Sequence, residues 1–275
     1  MNRRFRMPEA VLLGLLWIGS GCSDPMEKAA SAYKSGDYIT AFHYYKRAAS
    51  KGIIEAQKRI GEMYEKGLGT PKDYDEAITW YQTAAEKGDL AAQSHLGLLY
   101  LKGRGPGAAQ DYASAFKWLQ KAADRGDIAA EGGLGYIYKI GTYNVPQNYA
   151  EALKWLSKAA DQGDFFGETQ LAYMYLQGEG VSKNPEQAFF YIDRAAKGGD
   201  VHSMRSLGMM YQLGDGVAQD YVEADHWFLI ASARGDDTAR VNSNVVQRNM
   251  TLEQVQEAQK RASDTTQMPP ISSAQ

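Results

Sequence analysis

The chain has 275 residues, 44% of them hydrophobic and 23% charged, and its 30 Lys and Arg against 33 Asp and Glu leave a formal charge of -3. That balance supplies no basic field for a phosphate backbone, so nucleic acid is excluded as an expected partner. A single cysteine excludes a disulfide framework.

In chain order, Arg3, Arg4 and Arg6 come first, then the apolar run Ala10 to Ile18 (AVLLGLLWI), then small residues. Residues 1–21 read as a secretory signal peptide. The run is too short to cross a bilayer, which takes about 20 residues. Gly19-Ser20-Gly21-Cys22 sets the one cysteine at the end of this leader. It resembles the lipobox of bacterial lipoproteins, with Gly19 where a Leu is usual. The resemblance implies that the leader is removed, that Cys22 is diacylated, and that two or three chains anchor the protein in a membrane. Ser23 after the cysteine, in place of Asp, implies the outer membrane, facing the periplasm. Residues 22–25 are then a short lipidated tether.

Residues 26–51 form a degenerate helical pair, broken at Gly36-Asp37. From there a unit of two amphipathic helices repeats. Gly52, Gly88, Gly126, Gly163, Gly199 and Gly235 mark its boundaries at intervals of 36, 38, 37, 36 and 36 residues. Every one but the first is followed by Asp. A period this regular means a repeat array of five units, 52–87, 88–125, 126–162, 163–198 and 199–235. Gly closes one helix in the left-handed conformation and Asp caps the next.

In the first helices, apolar positions such as Ala92, Leu96, Leu99 and Tyr100 fall on one stripe. Beside it the column Gly61, Gly97, Gly135, Ala172, Gly208 predicts a close helix–helix approach, since helix formers belong there otherwise. The second helices carry a small–large–small set such as Ala115, Trp118 and Ala122. The extra length of the longer units lies in the turn between the helices. Residues 236–263 read as capping helices, with Thr251 to Gln254 as a capping box. The polar residues 264–275 read as a disordered tail.

The recurring pattern of Ala, Leu-Gly-x-x-Tyr, Gly-x-Gly and Asp-Tyr-x-x-Ala-x-x-Trp-x-x-Lys-Ala-Ala-x-x-Gly resembles the Sel-one-like repeat (SLR) family, a longer-period relative of the tetratricopeptide repeat. Local departures are Gly141-Thr142-Tyr143, which lacks the second turn glycine, and Asn184-Pro185 in place of Asp-Tyr. The resemblance implies an all-α fold, a right-handed α-solenoid of stacked two-helix repeats, serving as a scaffold or adaptor for other proteins in bacterial envelopes. It implies no conserved chemistry. A secreted branch of the family, with a Cys pair in each repeat and penicillin binding, is not matched.

Nothing else in the chain points to catalysis. His43, His95, His202 and His226 lie in four different units, so no metal site is expected and no cofactor is called for. Ser31-Ala32-Tyr33-Lys34 satisfies Ser-x-x-Lys, but neither Ser-Asp-Asn nor Lys-Thr-Gly follows. Glycine-rich turns such as Gly67-Leu68-Gly69 lack the strand and the Gly-Lys of a phosphate loop. Asn249-Met250-Thr251 is a glycosylation sequon that a bacterial lipoprotein would not normally use.

One face of the first helices changes chemistry from unit to unit. It yields a candidate groove of Leu98, Leu101, Tyr136, Tyr173, Leu176 and Met209, with a charged rim at Lys58, Lys139 and Arg205. Tyr and Met suit binding surfaces; the alternative is that these side chains pack between units. The expected function is an envelope lipoprotein that binds a protein or peptide on this face and catalyses nothing. The alternatives are a cell-wall or polysaccharide-binding part of an export assembly and, by family analogy alone, a hydrolase of β-lactams or cell wall.

Overall fold

The computed structural model describes residues 24–104 and 110–267. Within them are fourteen α-helices and no strand. The helices pair in order: α1 (Pro25–Lys34) with α2 (Tyr38–Ala49), α3 (Ile54–Lys66) with α4 (Tyr74–Glu86), α5 (Leu90–Leu101) with α6 (Tyr112–Ala123), and α7 (Ile128–Ile140) with α8 (Tyr149–Asp161). Then come α9 (Phe165–Gln177) with α10 (Pro185–Gly198), and α11 (Val201–Leu213) with α12 (Tyr221–Ala233). The chain continues through α13 (Asp237–Val246), a 3-10 turn (Gln247–Asn249) and α14 (Leu252–Gln267). Each second helix packs on its own first helix and on the first helix of the next pair, so the pairs stack as an α-solenoid. The leader and Cys22 lie outside the described residues, as do residues 268–275 of the expected tail. Residues 264–267, also expected in that tail, instead form the last turn of α14.

The pair boundaries follow from two side chains each. Gly88 stands at φ +89°, where a side chain would be strained, and Asp89 then accepts a hydrogen bond from the amide of Ala92 at 2.8 Å. Asp127, Asp164, Asp200 and Asp236 cap their helices in the same way. Ile53, the one boundary residue without a carboxylate, leaves α3 with no side-chain cap. The second helices open on Asp73, Asp111, Asn148, Asn184 and Asp220, each accepting from a first-turn amide. Asn184 keeps this role with Pro185 behind it, because proline at the first helical position gives up an N–H that has no helical partner.

The small-residue column sits where the helices of a pair cross. A Cβ at Gly97 would stand 2.7 Å from Leu119 Cγ. Gly61, Gly135 and Gly208 face Tyr81, Leu156 and Phe228 in the same register. The facing residues are fully or almost fully buried, so each crossing is packed on both sides.

Hydrogen bonds between pairs set how one unit sits on the last. At the ends of the second helices, Lys87 donates to the carbonyl of Gly52 (3.2 Å), Arg125 to that of Gly88 (2.8 Å) and Arg234 to that of Gly199 (3.4 Å). In the first helices, Gln57 donates to the carbonyl of Ala49 (3.2 Å) and Gln93 to that of Ala85 (3.0 Å). The next two units have Glu131 and Glu168 at that position. Glu131 is fully buried and takes Lys158 at 2.6 Å and the Gln162 amide at 2.7 Å. Glu168 takes Arg194, whose guanidinium also donates to the carbonyl of Ala160.

At the C-terminal end α13 and α14 both pack on α12. Thr251 and Gln254 form the reciprocal capping box: the Thr251 amide donates to Gln254 Oε1 (2.8 Å) and the Gln254 amide to Thr251 Oγ1 (3.3 Å). Because α12 is covered from both sides it buries polar residues too. Asp225, fully buried, accepts from Ser243 and Gln247, and His226 lies beside it with little exposure.

Candidate interaction face

The first helices carry the changing face. Besides packing on second helices, α5 touches α7 and α7 touches α9 directly. In α9, Phe166, Gln170, Tyr173 and Gln177 fall at i, i+4, i+7 and i+11, one stripe of the helix. The same register places His202, Ser206, Met209 and Leu213 on α11, Tyr136 and Ile140 on α7, and Val245 on α13. In α3 the stripe reads Glu55, Arg59, Glu62 and Lys66, closed on itself by ion pairs of Arg59 with Glu55 (3.0 Å) and Glu62 (2.9 Å). The face is therefore charged and self-neutralised in α3, and from α7 onward it carries large apolar side chains between polar ones.

Exposure follows the same gradient. Leu98 and Tyr136 are half-buried, whereas Tyr173 is 40% exposed, Met209 44% and Val245 42%. Tyr136 meets the edge of Phe166 at 5.6 Å between ring centroids, and Phe166 is itself 42% exposed. Phe166, Leu213 and Val245 were not among the residues expected from the sequence. Phe166 lies seven residues before Tyr173, Leu213 four after Met209, and Val245 one unit beyond it, all on the same helical stripe.

Several expected residues do other work. Leu101 is 7% exposed and packs with Leu119 and Val145, so it belongs to the core and not to a groove. Leu176 is half-buried against the apolar cluster of α11 and α12. Lys58 is paired with Glu55 at 2.6 Å. Lys139 reaches from α7 to α9: it donates to Gln170 at 3.1 Å, lies 3.6 Å from Glu179 and stands over the Tyr173 ring. Arg205 holds the capping carboxylate of Asp236 at 3.4 Å. Of the rim expected from Lys58, Lys139 and Arg205, the last two are thus struts between units and the first is paired within α3. Ser94, bonded to Asp127 at 2.6 Å, and Thr169, bonded to Ser203 at 3.1 Å, serve the column in the same way.

The titratable groups along this route are shifted by burial. The carboxyls of Asp164 and Glu168 are raised above their ordinary range by desolvation, against the pull of the Gly167 amide on one and of Arg194 on the other. Both lie at the start of α9, where Asp164 accepts from the Gly167 amide and Glu168 from Arg194. Among the described residues no three His, Cys, Asp or Glu side chains come together as metal ligands. Ser31 and Lys34 are both exposed on α1, and no base is bonded to Ser31 among the described residues. No described helix is long and apolar enough to cross a membrane.

Comparison with known proteins agrees with this architecture. A Sel1 repeat protein from Oxalobacter formigenes is 30% identical, covers 87% of this chain and 99% of its own, and superposes with a TM-score of 0.70. DAP3-binding cell death enhancer 1 of Rattus norvegicus is 48% identical over 40 residues, which are 14% of this chain and 8% of that protein. HcpE of Helicobacter pylori, provisionally named a beta-lactamase, is 44% identical over 45 residues, 16% of this chain and 13% of its own. The chain thus spans only a small part of these two curated relatives. The Sel1 repeat profile matches residues 26–53, 54–89, 90–127, 128–164, 166–200 and 201–236, the first of these being the pair α1 and α2. The chain belongs to the Sel1 repeat family.

Proposed function

We propose that this protein is an adaptor of the bacterial envelope, held to a membrane through acylated Cys22, which takes an apolar segment of a partner protein on the stripe running from α7 to α13. The observation that carries the reading is the exposure of Tyr173 and Met209 at equivalent positions of neighbouring units. Large apolar side chains left in contact with water in register mark a contact surface more often than an accident of packing. The charged stripe of α3, already paired within itself, sets the N-terminal limit of that surface. Cys22 lies two residues before Asp24, the cap of α1, so an acyl anchor holds the first pair close to the lipid.

A photo-crosslinking residue at position 173 or 209, compared with one at Lys154 on the other layer, tests the adaptor reading. A protein adduct formed from the first two positions only, and lost from position 173 in Met209→Ala and from position 209 in Tyr173→Ala, supports it. Equal labelling from Lys154 refutes it. The anchor is tested separately by mass spectrometry of the mature N-terminus and by Cys22→Ser, expected to release the protein from membranes. Binding to insoluble cell wall that Tyr173→Ala abolishes would identify a polysaccharide ligand instead. The name of the Helicobacter relative motivates one further control, with labelled penicillin, for which no adduct is expected.

A further inference from the structure

The ties between units are not uniform along the stack. Between α2 and the pair α3–α4 two side-chain bonds reach backbone carbonyls, from Lys87 to Gly52 and from Gln57 to Ala49, beside a bond from Lys46 to the Tyr64 hydroxyl. Between α4 and α5–α6 the same two recur, from Arg125 to Gly88 and from Gln93 to Ala85. Between α8 and α9–α10 one remains, from Arg194 to Ala160, and between α10 and α11–α12 one remains, from Arg234 to Gly199. Between α6 and α7–α8 there is neither. The equivalent residues there are Gln162, whose amide is taken by Glu131 and by the Lys158 carbonyl, and Glu131, a carboxylate that cannot donate. Among the described residues no side chain reaches the carbonyl of Gly126 or of Ala123.

What crosses this junction is apolar, with one exception. Leu119, Ala122 and Ala123 meet Ala130 and Leu134 in a single buried cluster, and Ser94 bonds Asp127 at 2.6 Å on the first-helix side. Apolar contact is non-directional, whereas a hydrogen bond fixes an angle. The helix beyond the junction, α7, contains Gly132, Gly133 and Gly135. Glycine is a weaker helix former than alanine in a helix interior.

We propose that this junction is a built-in joint: α1–α6 and α7–α14 rock against each other about the Ser94–Asp127 contact, opening and closing on the second-helix side at Gly126. The apolar stripe of α7 to α13 then moves as one body relative to the N-terminal arm. This inference needs no partner and stands apart from the proposed function.

The test uses spin-label pairs on the full chain carrying Cys22→Ser, at one exposed column of the second helices. His43→Cys/Lys117→Cys spans two doubly tied junctions; Thr79→Cys/Lys154→Cys exchanges one of them for the untied one. The distance distribution of the second pair is expected to be roughly twice as broad as that of the first, as hinge motion between packed elements would give. Glu131→Gln/Gln162→Arg restores both donors and is expected to narrow the second pair to the width of the first. Equal widths before that change, or a broad distribution unaltered by it, would overturn the joint. Amide exchange on the unlabelled chain gives an independent reading. Faster exchange is expected at the end of α6 than at the end of α4, and equal protection counts against the proposal.

Discussion

The guanidinium of Arg194, at the surface of α10, is bonded to the carboxylate of Glu168, which has 1% exposure, and also to the carbonyl of Ala160 at the end of α8. This side chain takes the place of Gln57 and Gln93 at the carbonyl that closes the preceding helix. Removing Arg194 leaves a buried carboxylate without its counter-charge, and Arg194→Ala is expected to cost about 3 kcal/mol. Glu168→Gln in the same chain restores an amide like those of Gln57 and Gln93, so the double variant should recover a large part of the loss. Urea midpoints at constant slope measure both changes. A double variant no more stable than Arg194→Ala would show that Glu168 is not the source of the cost.

The glycine column allows an equally direct test. A Cβ at Gly97 would come 2.7 Å from Leu119 Cγ and 3.1 Å from the Leu119 backbone nitrogen. Alanine favours a helix by about 1 kcal/mol over glycine, but overpacking costs about 1–3 kcal/mol. Because Leu119 is fully buried and its backbone is part of the clash, overpacking should win. Gly97→Ala is thus expected to lower the thermal midpoint. Gly97→Ala/Leu119→Val should lose less than the sum of the two single changes.

Much of this architecture was legible in the chain itself. The period, the Asp and Asn caps, the close approach at Gly97 and the capping box at Thr251 all depend on contacts within one unit or between nearest neighbours. Local sequence spacing reports such contacts directly. The candidate interaction face was legible only in part. Ser94, Thr169 and Arg205 vary from unit to unit because different side chains can reach a capping Asp or the helix start in the next unit, and variation of that origin looks like variation for binding. Leu101 shares the helical spacing of Leu98 but lies against Leu119 and Val145, and Val145 comes from the longer third turn, whose path no periodicity specifies. The exchange of Gln57 and Gln93 for Glu131 and Glu168 is plain in the sequence. Its consequence is not, because the compensating donors Lys158, Gln162 and Arg194 stand on a different helix, 26 to 31 residues away.

The C-terminal cap should respond to pH through His226. Burial lowers its pKa below the ordinary 6.5, so the unfolded chain takes up a proton that the folded one refuses. Between the folded value and 6.5 the unfolded state binds more protons, and stability therefore falls as the pH drops through that window. Asp225 works in the opposite sense: burial raises its pKa above 3.8, so the folded state binds the proton more readily, and acidification toward 3.8 recovers stability. Denaturation at about pH 7.5 and about pH 5.5 should show a loss for the native sequence that His226→Gln lacks. Parallel behaviour of the two proteins would assign the loss to other groups.

The last prediction separates surface from core on the face where sequence spacing could not. Tyr173 and Met209 are 40% and 44% exposed, so each buries only part of its side chain, and truncating either should cost about 1 kcal/mol. Leu101, at 7% exposure in the cluster with Leu119, should cost about 2–3 kcal/mol when cut to alanine. Capture of the partner segment should follow the reverse order. It should be lost in Tyr173→Ala and Met209→Ala with only a small fall in melting temperature, and kept in Leu101→Ala wherever that protein remains folded. Tyr136 falls between, half-buried and set edge-on against Phe166, and its alanine variant should lose both some stability and some binding. If Tyr173→Ala melted as low as Leu101→Ala while partner capture was unchanged, the stripe would be packing between units and not a surface for recognition.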